Sequence, residues 1–189
     1  MHNRKILIIG EVYVDQHLDI IENGYSTSRL GGIFHAARSC DALNIEYALA
    51  YYAPDYLVKD VEKFGIDVLR ASSIFRLGKV DKAPNVMLIG QSDESGNQLY
   101  ENILGRQAEY VSMLPFMQVL DDFDPTDIII FPGRYGNAGI LSNLSNYEGK
   151  IHIDMNYDCD DILDLDTIKI QTVFLSTSST CLLYTSPSP

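Results

Sequence analysis

The sequence is poor in basic residues and in cysteine. Its 14 Lys and Arg stand against 26 Asp and Glu, which gives a formal net charge of -12. Because a surface this acidic repels phosphate backbones, we expect no nucleic-acid partner. The three cysteines show neither metal-ligand spacing nor a pairing pattern. That argues against a disulfide framework and is typical of a reducing compartment.

The amino-terminal region shows no targeting or membrane-spanning segment. The chain runs from Met-His-Asn-Arg-Lys directly into ILIIG, and this apolar run is too short for a signal peptide or a membrane span. We therefore predict a cytoplasmic protein without a membrane partner.

Several common catalytic motifs are also missing. No Gly-x-Gly-x-x-Gly follows the first apolar run, and no GxxxxGK[ST] phosphate loop occurs. No Ser or Cys lies in a nucleophile elbow, and the four histidines lack the spacing of zinc ligands. These absences argue against a nicotinamide-binding Rossmann site and leave no predicted metal site.

Apolar runs alternate with segments of helical periodicity along the chain. The runs KILIIGEVYVD, IEYALAYYAP, IDVLRA, DIIIFPG, KIHIDMN and IKIQTVFLS predict strands. The segments IFHAARSCDAL, DYLVKDVEKFG and VSMLPFMQVLDDF predict helices, the last with Pro115 in its first turn. The polar turn SDESGN predicts a hairpin. This alternation predicts an α/β fold with a mostly parallel sheet, to which the hairpins are an appendage.

Two features near the amino terminus are candidates for ligand binding. Gly31 and Gly32 precede a helix, where they leave backbone room for a ligand beside exposed helix N–H groups. The alternative is that they only turn the chain. Asp15 follows the first strand, at the edge where α/β sheets bind ligands, and its carboxylate could accept bonds from two neighbouring sugar hydroxyls. The alternative for Asp15 is a solvated loop acid.

Three further candidates follow later strands. Asp154 and Asn156 in IDMNYD lie on one side of a strand by alternation and could act together in polar recognition. An Asx-turn or a helix cap is the alternative. Arg134 follows the apolar run DIIIFPG, and it could hold a phosphate or a carboxylate, or pair with a surface acid.

In their order, these segments resemble the N-terminal half of the ribokinase-like (PfkB) sugar kinases. The resemblance is carried by ILIIGEVYVD, GGIFHAARSCDALNIEYALAYYAP, VEKFGIDVL, NVMLIGQSDESGNQLYENI and IHIDMNYD. It implies a three-layer α/β fold, with a central mostly parallel sheet and a small β-lid from strands at about 11–30 and 73–104. His35 stands where the family usually has a sugar-binding Asn, and Tyr13 stands at another polar contact of the family.

The resemblance implies an ATP- and Mg²⁺-dependent kinase that phosphorylates a hydroxyl of a small sugar or nucleoside-like substrate. The substrate contacts it implies are Asp15, Gly31, Gly32, His35, Tyr13, Arg134, Asp154 and Asn156. It also allows a homodimer that pairs through the lid. The family's Gly-rich anion hole with its catalytic Asp has no counterpart here, so no residue of this chain is assigned a catalytic role.

The end of the chain departs from the pattern. Residues 181–189, CLLYTSPSP, are the translation of a nucleotide string that resembles a transposase adapter used in sequencing libraries. We expect residues 1–180 to be a truncated ribokinase-like domain and residues 181–189 to be non-native. The alternative for the tail is a Ser/Pro-rich disordered terminus. The catalytic, ATP and Mg²⁺ sites would then lie beyond this inactive fragment.

Two other functions remain open at this point. The first is a non-catalytic sugar-binding or regulatory protein of the same fold, which would lack a downstream Gly-x-Gly-Asp motif. The second is a Rossmann-like nucleotide-sugar enzyme, which predicts no lid and places NVMLIGQSDESGNQLYENI in a helix or in the core sheet.

Overall fold

The computed structural model describes residues 4–17, 27–92, 98–103, 109–131, 140, 143–155 and 169–175. The strands are β1 Lys5–Glu11, β2 Val14–His17, β3 Thr27–Leu30, β4 Glu46–Ala53, β5 Ser73–Asp81, β6 Val86–Ser92, β7 Gln98–Ile103, β8 Glu109–Ser112, β9 Asp127–Ile130, β10 Lys150–Met155 and β11 Ile170–Leu175. The α-helices are α1 Phe34–Ala42, α2 Val58–Lys63 and α3 Phe116–Phe123. A 3-10 turn, Asp55–Leu57, precedes α2, and a π-helical turn, Phe64–Val68, follows it.

A seven-stranded sheet forms the centre, in the order β11-β10-β9-β1-β4-β5-β8. Its strands are parallel except β8, which pairs antiparallel with β5. In β1, Ile8 lies beside Leu49 of β4 and Ile129 of β9, and Leu7, Ile8 and Ile9 are fully buried. A strand with neighbours on both edges and helices over both faces has no solvated side, so its middle residues, Ile6 to Ile9, are all apolar. The predicted α/β fold is confirmed.

Helices cover both faces of this sheet. The α1 and α2 side packs Phe34, Ala37 and Val61 against the sheet. On the opposite face, α3 buries Phe116, Val119 and Phe123. The result is the predicted arrangement of three layers.

A separate four-stranded sheet, in the order β3-β2-β6-β7, rises from the end of β1. We call it the small sheet. In it β2 is antiparallel to β3 and parallel to β6, while β6 and β7 form a hairpin. Its four strands fall within the ranges predicted for lid strands, whereas Ser73–Asp81, which also fell within those ranges, forms β5 of the central sheet. That strand pairs in parallel with β4 and buries Leu77 and Val80 in the core.

Two predicted elements differ from the structure. Residues 66–71, predicted as a strand, continue α2 as the π-helical turn and then lead into β5. The helix predicted from residue 111 begins only at Phe116, because Pro115 is extended, with φ -60° and ψ 129°, and occupies the cap position. Proline also disfavours helical backbone in the residue before it, so the segment Glu109–Ser112 pairs with β5 instead.

Two buried tyrosines of β4 differ in one hydrogen bond, which gives a matched stability test. The Tyr47 hydroxyl donates to the Leu69 carbonyl oxygen, whereas the Tyr51 hydroxyl is buried with no hydrogen-bond partner among the described residues. An unsatisfied buried hydroxyl costs about 1–3 kcal/mol and a satisfied one contributes about 1 kcal/mol. We therefore expect Tyr51→Phe to raise the free energy of unfolding and Tyr47→Phe to lower it, each by about 1 kcal/mol, measured by urea denaturation. A loss of stability in Tyr51→Phe would contradict the assignment.

The same two tyrosines lower the stability of the folded chain at alkaline pH. Burial raises the pKa of Tyr47 and of Tyr51 from 10.0 to about 12. Between these values the unfolded chain releases both phenolic protons while the folded chain keeps them, so stability falls as the pH rises from 10 to about 12. Tyr51→Phe should make this decline shallower in a thermal melt followed against pH.

Candidate functional site

The candidate site lies at the carboxyl end of β1, where the small sheet returns the chain to the start of α1. The N–H groups of Gly31 and Ile33 donate to the carbonyl oxygens of Tyr13 and Glu11, at 2.8 and 3.1 Å. These bonds hold the helix start directly over the strand end. Gly10 permits the close approach, because a Cβ there would come within 2.7 Å of the Ile33 side chain. This is the edge at which open α/β sheets bind ligands.

Asp15 is the central group of the site. It belongs to β2, and its side chain is only 6% exposed. The carboxylate lies against Gly31, where an added Cβ would be 2.3 Å from both of its oxygens. Oδ2 lies 3.1 Å from Nε2 of His35 and 3.7 Å from Nε of Arg29, yet it has no hydrogen bond of acceptable geometry from the described residues. A buried carboxylate oxygen without a donor can accept a bond from a ligand hydroxyl.

Glycine is required at positions 31 and 32 for two different structural reasons. Gly31 makes room for the Asp15 carboxylate, while Gly32 adopts φ +61° and a Cβ there would be 2.1 Å from the Glu11 carbonyl oxygen. The expected free helix N–H groups are largely occupied. The N–H groups of four residues at this corner donate to main-chain carbonyl oxygens. These four donors are Gly31, Ile33, Phe34 and His35. Side chains therefore supply most of the recognition that this corner can offer.

Two arginines that the sequence analysis did not single out stand beside Asp15. Arg29 lies opposite Asp15 in the antiparallel pairing of β2 and β3. Arg38 of α1 donates through Nη2 to the Leu30 carbonyl oxygen at 2.7 Å, and its guanidinium lies over the Phe64 ring, 5.6 Å from the centroid. Burial lowers the pKa of Arg38, as does the charge of Arg29, and the Asp15 carboxylate opposes both. Arg29 thus pairs with Asp15 across the two strands, and Arg38 lies close enough for the charge of Asp15 to act on its pKa.

A buried polar network anchors the strand that carries Asp15. The Glu11 carboxylate accepts from the Tyr110 hydroxyl at 2.7 Å and from Asn85 Nδ2 at 3.3 Å. Asn85 Nδ2 also donates to the Val12 main-chain carbonyl oxygen. The main-chain carbonyl oxygen of Asn85 accepts from the Val14 N–H at 2.8 Å. Asn85 has φ 49°, a conformation that asparagine tolerates better than most residues. This network fixes the first residue of β2 and with it the position of Asp15.

The structure brings together most of the predicted contacts near the amino terminus. Asp15, Gly31, Gly32 and the half-exposed His35 meet at one corner, beside the half-buried Tyr13.

The later candidates are farther away or not described. Asp154 lies on β10 at the level of Gly10, since Ile153, Ile130 and Ile9 are in register. Two strand spacings separate it from β1, roughly 10 Å, and burial raises its pKa. Arg134 and Asn156 lie outside the described residues.

The sequence contains only a weak signal for Arg29. Alternation in SRLGG places Arg29 on one face of its strand, but its pairing with Asp15 depends on a register that the intervening segment does not specify. Arg38 is one of several polar residues on a helix, so nothing in the pattern distinguishes it. Asn85 follows a proline in a loop, and its role depends on the distant Glu11.

The described part of the chain lacks two features, a metal-binding cluster and a membrane-spanning helix. Those residues contain no group of three or more His, Cys, Asp or Glu that could hold a metal ion. No helix formed by them is both long and apolar enough to cross a membrane.

Comparison with known proteins shows the fold. No protein-family model matches the sequence, and no curated protein matches it. Among solved structures, ribokinase from Giardia lamblia matches with a TM-score of 0.58 and 15% identity, covering 87% of this chain and 54% of that protein. Fructokinase from Xylella fastidiosa matches with a TM-score of 0.57 and 12% identity, covering 81% and 50%. An uncharacterized sugar kinase from Pyrococcus horikoshii matches with a TM-score of 0.51 and 14% identity, covering 86% and 54%.

This chain therefore has the fold of the ribokinase-family sugar kinases, as the sequence resemblance implied. It spans about half the length of the structures it matches. The Rossmann-like alternative required the segment that forms β6 and β7 to be helix or central sheet, and both strands belong to the small sheet.

Proposed function

We propose that the parent of this chain, which has the ribokinase-like fold, transfers a phosphoryl group from ATP to a hydroxyl of a sugar or nucleoside-like substrate. One observation carries the proposal. The buried carboxylate of Asp15 has an oxygen without a hydrogen-bond donor among the described residues, and it lies at the ligand-binding edge of the sheet. A carboxylate in that position recognises neighbouring hydroxyls, the group that a sugar kinase must hold.

Each residue of the corner has a role in this proposal. Asp15 accepts hydrogen bonds from two substrate hydroxyls, and the imidazole of His35 bonds a third oxygen. Gly31 and Gly32 have no side chains that would obstruct the approach of a sugar ring to the backbone. The small sheet covers the bound substrate and excludes water from the phosphoryl group. Tyr13, Asp154, Arg134 and Asn156 remain proposed substrate contacts.

We propose that the nucleotide and the metal ion bind outside the described residues. The residues that the structure describes contain no metal-binding cluster, and the sequence contains no Gly-rich motif with an Asp. We assign the ATP and Mg²⁺ sites and the catalytic base to the rest of the parent protein. We expect this chain to bind the substrate without transferring phosphate. A cytoplasmic location and pairing through the small sheet remain proposals.

The test is to recover the gene downstream of Thr180 from an independent genomic read. We expect the reading frame to continue differently from residues 181–189 and to encode a Gly-x-Gly-Asp motif. The completed protein should then consume ATP in the presence of a sugar or a nucleoside. An intact reading frame that ends in YTSPSP would contradict the adapter hypothesis. A continuous gene without the motif would favour a non-catalytic sugar-binding protein.

A further inference from the structure

Two of the connections between the central sheet and the small sheet lie side by side. The chain passes from β1 to β2 through Val12 and Tyr13, and from β5 to β6 through residues 82–85. Asn85, the last residue of the second connection, is only 3% exposed and bonds directly to the first connection. The position of the small sheet over the central sheet therefore depends in part on how these two connections contact each other.

Asn85 bonds to both sheets at once. Its main-chain carbonyl oxygen accepts from the N–H of Val14, the first residue of β2, at 2.8 Å. Its side-chain Nδ2 donates at 3.3 Å to the carboxylate of Glu11, the last residue of β1, and at 3.1 Å to the Val12 carbonyl oxygen. Both of these partners are acceptors, so the two N–H groups of the amide must face them. One buried residue thus ties the end of the central strand to the start of the strand that carries Asp15.

The backbone conformation of Asn85 separates the role of its side chain from that of its main chain. Its φ of 49° lies in the left-handed region, which glycine adopts without cost and asparagine more readily than most residues. Glycine would satisfy this conformation, but it has no donor for Glu11 and Val12. Because buried hydrogen-bond networks favour one geometry, and Asp15 follows Val14 directly in the sequence, the amide restrains the Asp15 carboxylate.

We infer that Asn85 is a positioning residue for the substrate, whose amide fixes Asp15 relative to the end of the central sheet and so sets the affinity for a sugar or nucleoside. The inference rests on the proposed function, because it names a further determinant of the same site. Asn85 is buried and acts through Asp15. A displacement of about 1 Å in a group that holds the substrate can cost roughly hundredfold, so a restraint at Val14 is strongly felt at the ligand.

Two substitutions test the amide separately from the backbone. Asn85→Gly permits the same φ and keeps the main-chain bond to Val14, but it removes both side-chain bonds. Asn85→Asp keeps the shape of the side chain and places a carboxylate oxygen against the Glu11 carboxylate, so it repels where the amide attracts. Glu11→Gln is a milder third variant, since it keeps an acceptor oxygen and loses the charge.

Tyr47→Phe is the matched control for the loss of a buried hydrogen bond. The Tyr47 hydroxyl donates to the Leu69 carbonyl oxygen, and Tyr47 is paired with Ile6 near the start of β1, at the opposite end of the central sheet from Asp15. This variant should lose stability without losing affinity for the substrate.

The measurements use the full-length parent protein, with D-ribose, D-fructose, myo-inositol and adenosine as probes. Calorimetry gives the affinity for the probe that binds most tightly, and steady-state kinetics gives its KM and the KM for ATP. We expect Asn85→Gly to weaken the binding of the probe roughly tenfold. Asn85→Asp should weaken it more and Glu11→Gln less, while the KM for ATP stays unchanged in all three variants.

Hydrogen exchange tests the restraint without any ligand. In Asn85→Gly the amides of β2 and β3 should exchange about tenfold faster relative to those of β1 and β4, because the small sheet opens more easily than the central sheet. Tyr47→Phe should leave this ratio unchanged, since it weakens the fold away from the connection between the sheets. An unchanged ratio in both Asn85 variants would overturn the inference.

A double-mutant cycle shows whether Asn85 acts through Asp15. If it does, Asn85→Gly should cost less than about twofold in affinity once Asp15→Asn has removed the contact. A loss of affinity that is equally large in both backgrounds would assign Asn85 to general stability and overturn the inference.

Failure of the inference and failure of the proposed function give different results. Weaker binding in Asp15→Asn but not in Asn85→Gly would overturn the inference and leave the proposed function intact. Binding that Asn85→Gly weakens, without phosphoryl transfer from ATP, would overturn the kinase proposal and leave the inference intact. Binding of none of the probes would overturn both.

Discussion

Asp15→Asn is expected to weaken the binding of the substrate by about hundredfold or more while leaving the fold intact. The amide keeps the shape of the side chain but loses the charge and one acceptor oxygen, and each hydrogen bond to a charged group contributes about 1.5–3 kcal/mol. Stability should change by less than about 1 kcal/mol, since a pair with a half-exposed arginine contributes little. The affinity is measured by calorimetry with a sugar or nucleoside found in a thermal-shift screen.

Asp41→Asn is the control for this variant. Asp41 also pairs with an arginine, Arg70, but it lies near the carboxyl-terminal end of α1, away from the corner that contains Asp15. The control should retain the affinity of the unaltered chain. Stabilisation by the sugar that persists in both Asp15→Asn and Asp15→Ala would refute the assigned contact.

Gly32→Ala is expected to lower the free energy of unfolding by about 2–4 kcal/mol. Two costs combine, because a non-glycine residue at φ +61° is strained and its Cβ would come within 2.1 Å of the Glu11 carbonyl oxygen. That oxygen accepts the bond from the Ile33 N–H that holds α1 over β1. The obstacle is backbone at the end of the central strand, so no side-chain rotation relieves it. Urea denaturation measures the loss.

Gly31→Ala separates a backbone obstacle from a side-chain obstacle. The three atoms nearest to its Cβ would all belong to the Asp15 carboxylate, the closest at 2.3 Å. We therefore expect Asp15→Ala to rescue Gly31→Ala in a double-mutant cycle, with a coupling of about 1 kcal/mol or more. Asp15→Ala should not rescue Gly32→Ala. Rescue of both variants by Asp15→Ala would show that the two glycines share one obstacle.

The sequence by itself determined the central layers of this protein. The runs that became β1, β4 and β9 are apolar except at their ends because each is buried on both faces. Helix α1 begins just after a glycine pair, and its apolar residues recur at helical spacing, so its start is predicted by the local sequence. Asp15 was also visible, because a carboxylate just beyond the first strand falls at the ligand edge of any such sheet. Alternating strands and helices limit the topology strongly enough to predict the fold.

Only the tertiary structure decided which strands belong to which sheet and which charges meet. The pattern of Ser73–Asp81 suits the small sheet equally well, and its assignment came from pairing with β4. Arg29 reaches Asp15 through one register of β2 with β3, and a slip of one residue would turn it to the other face. Asn85 bonds Glu11 across 74 positions of sequence. Strand partners and long-range hydrogen bonds depend on how the whole chain packs, whereas hydrophobic periodicity reports only whether each segment is buried.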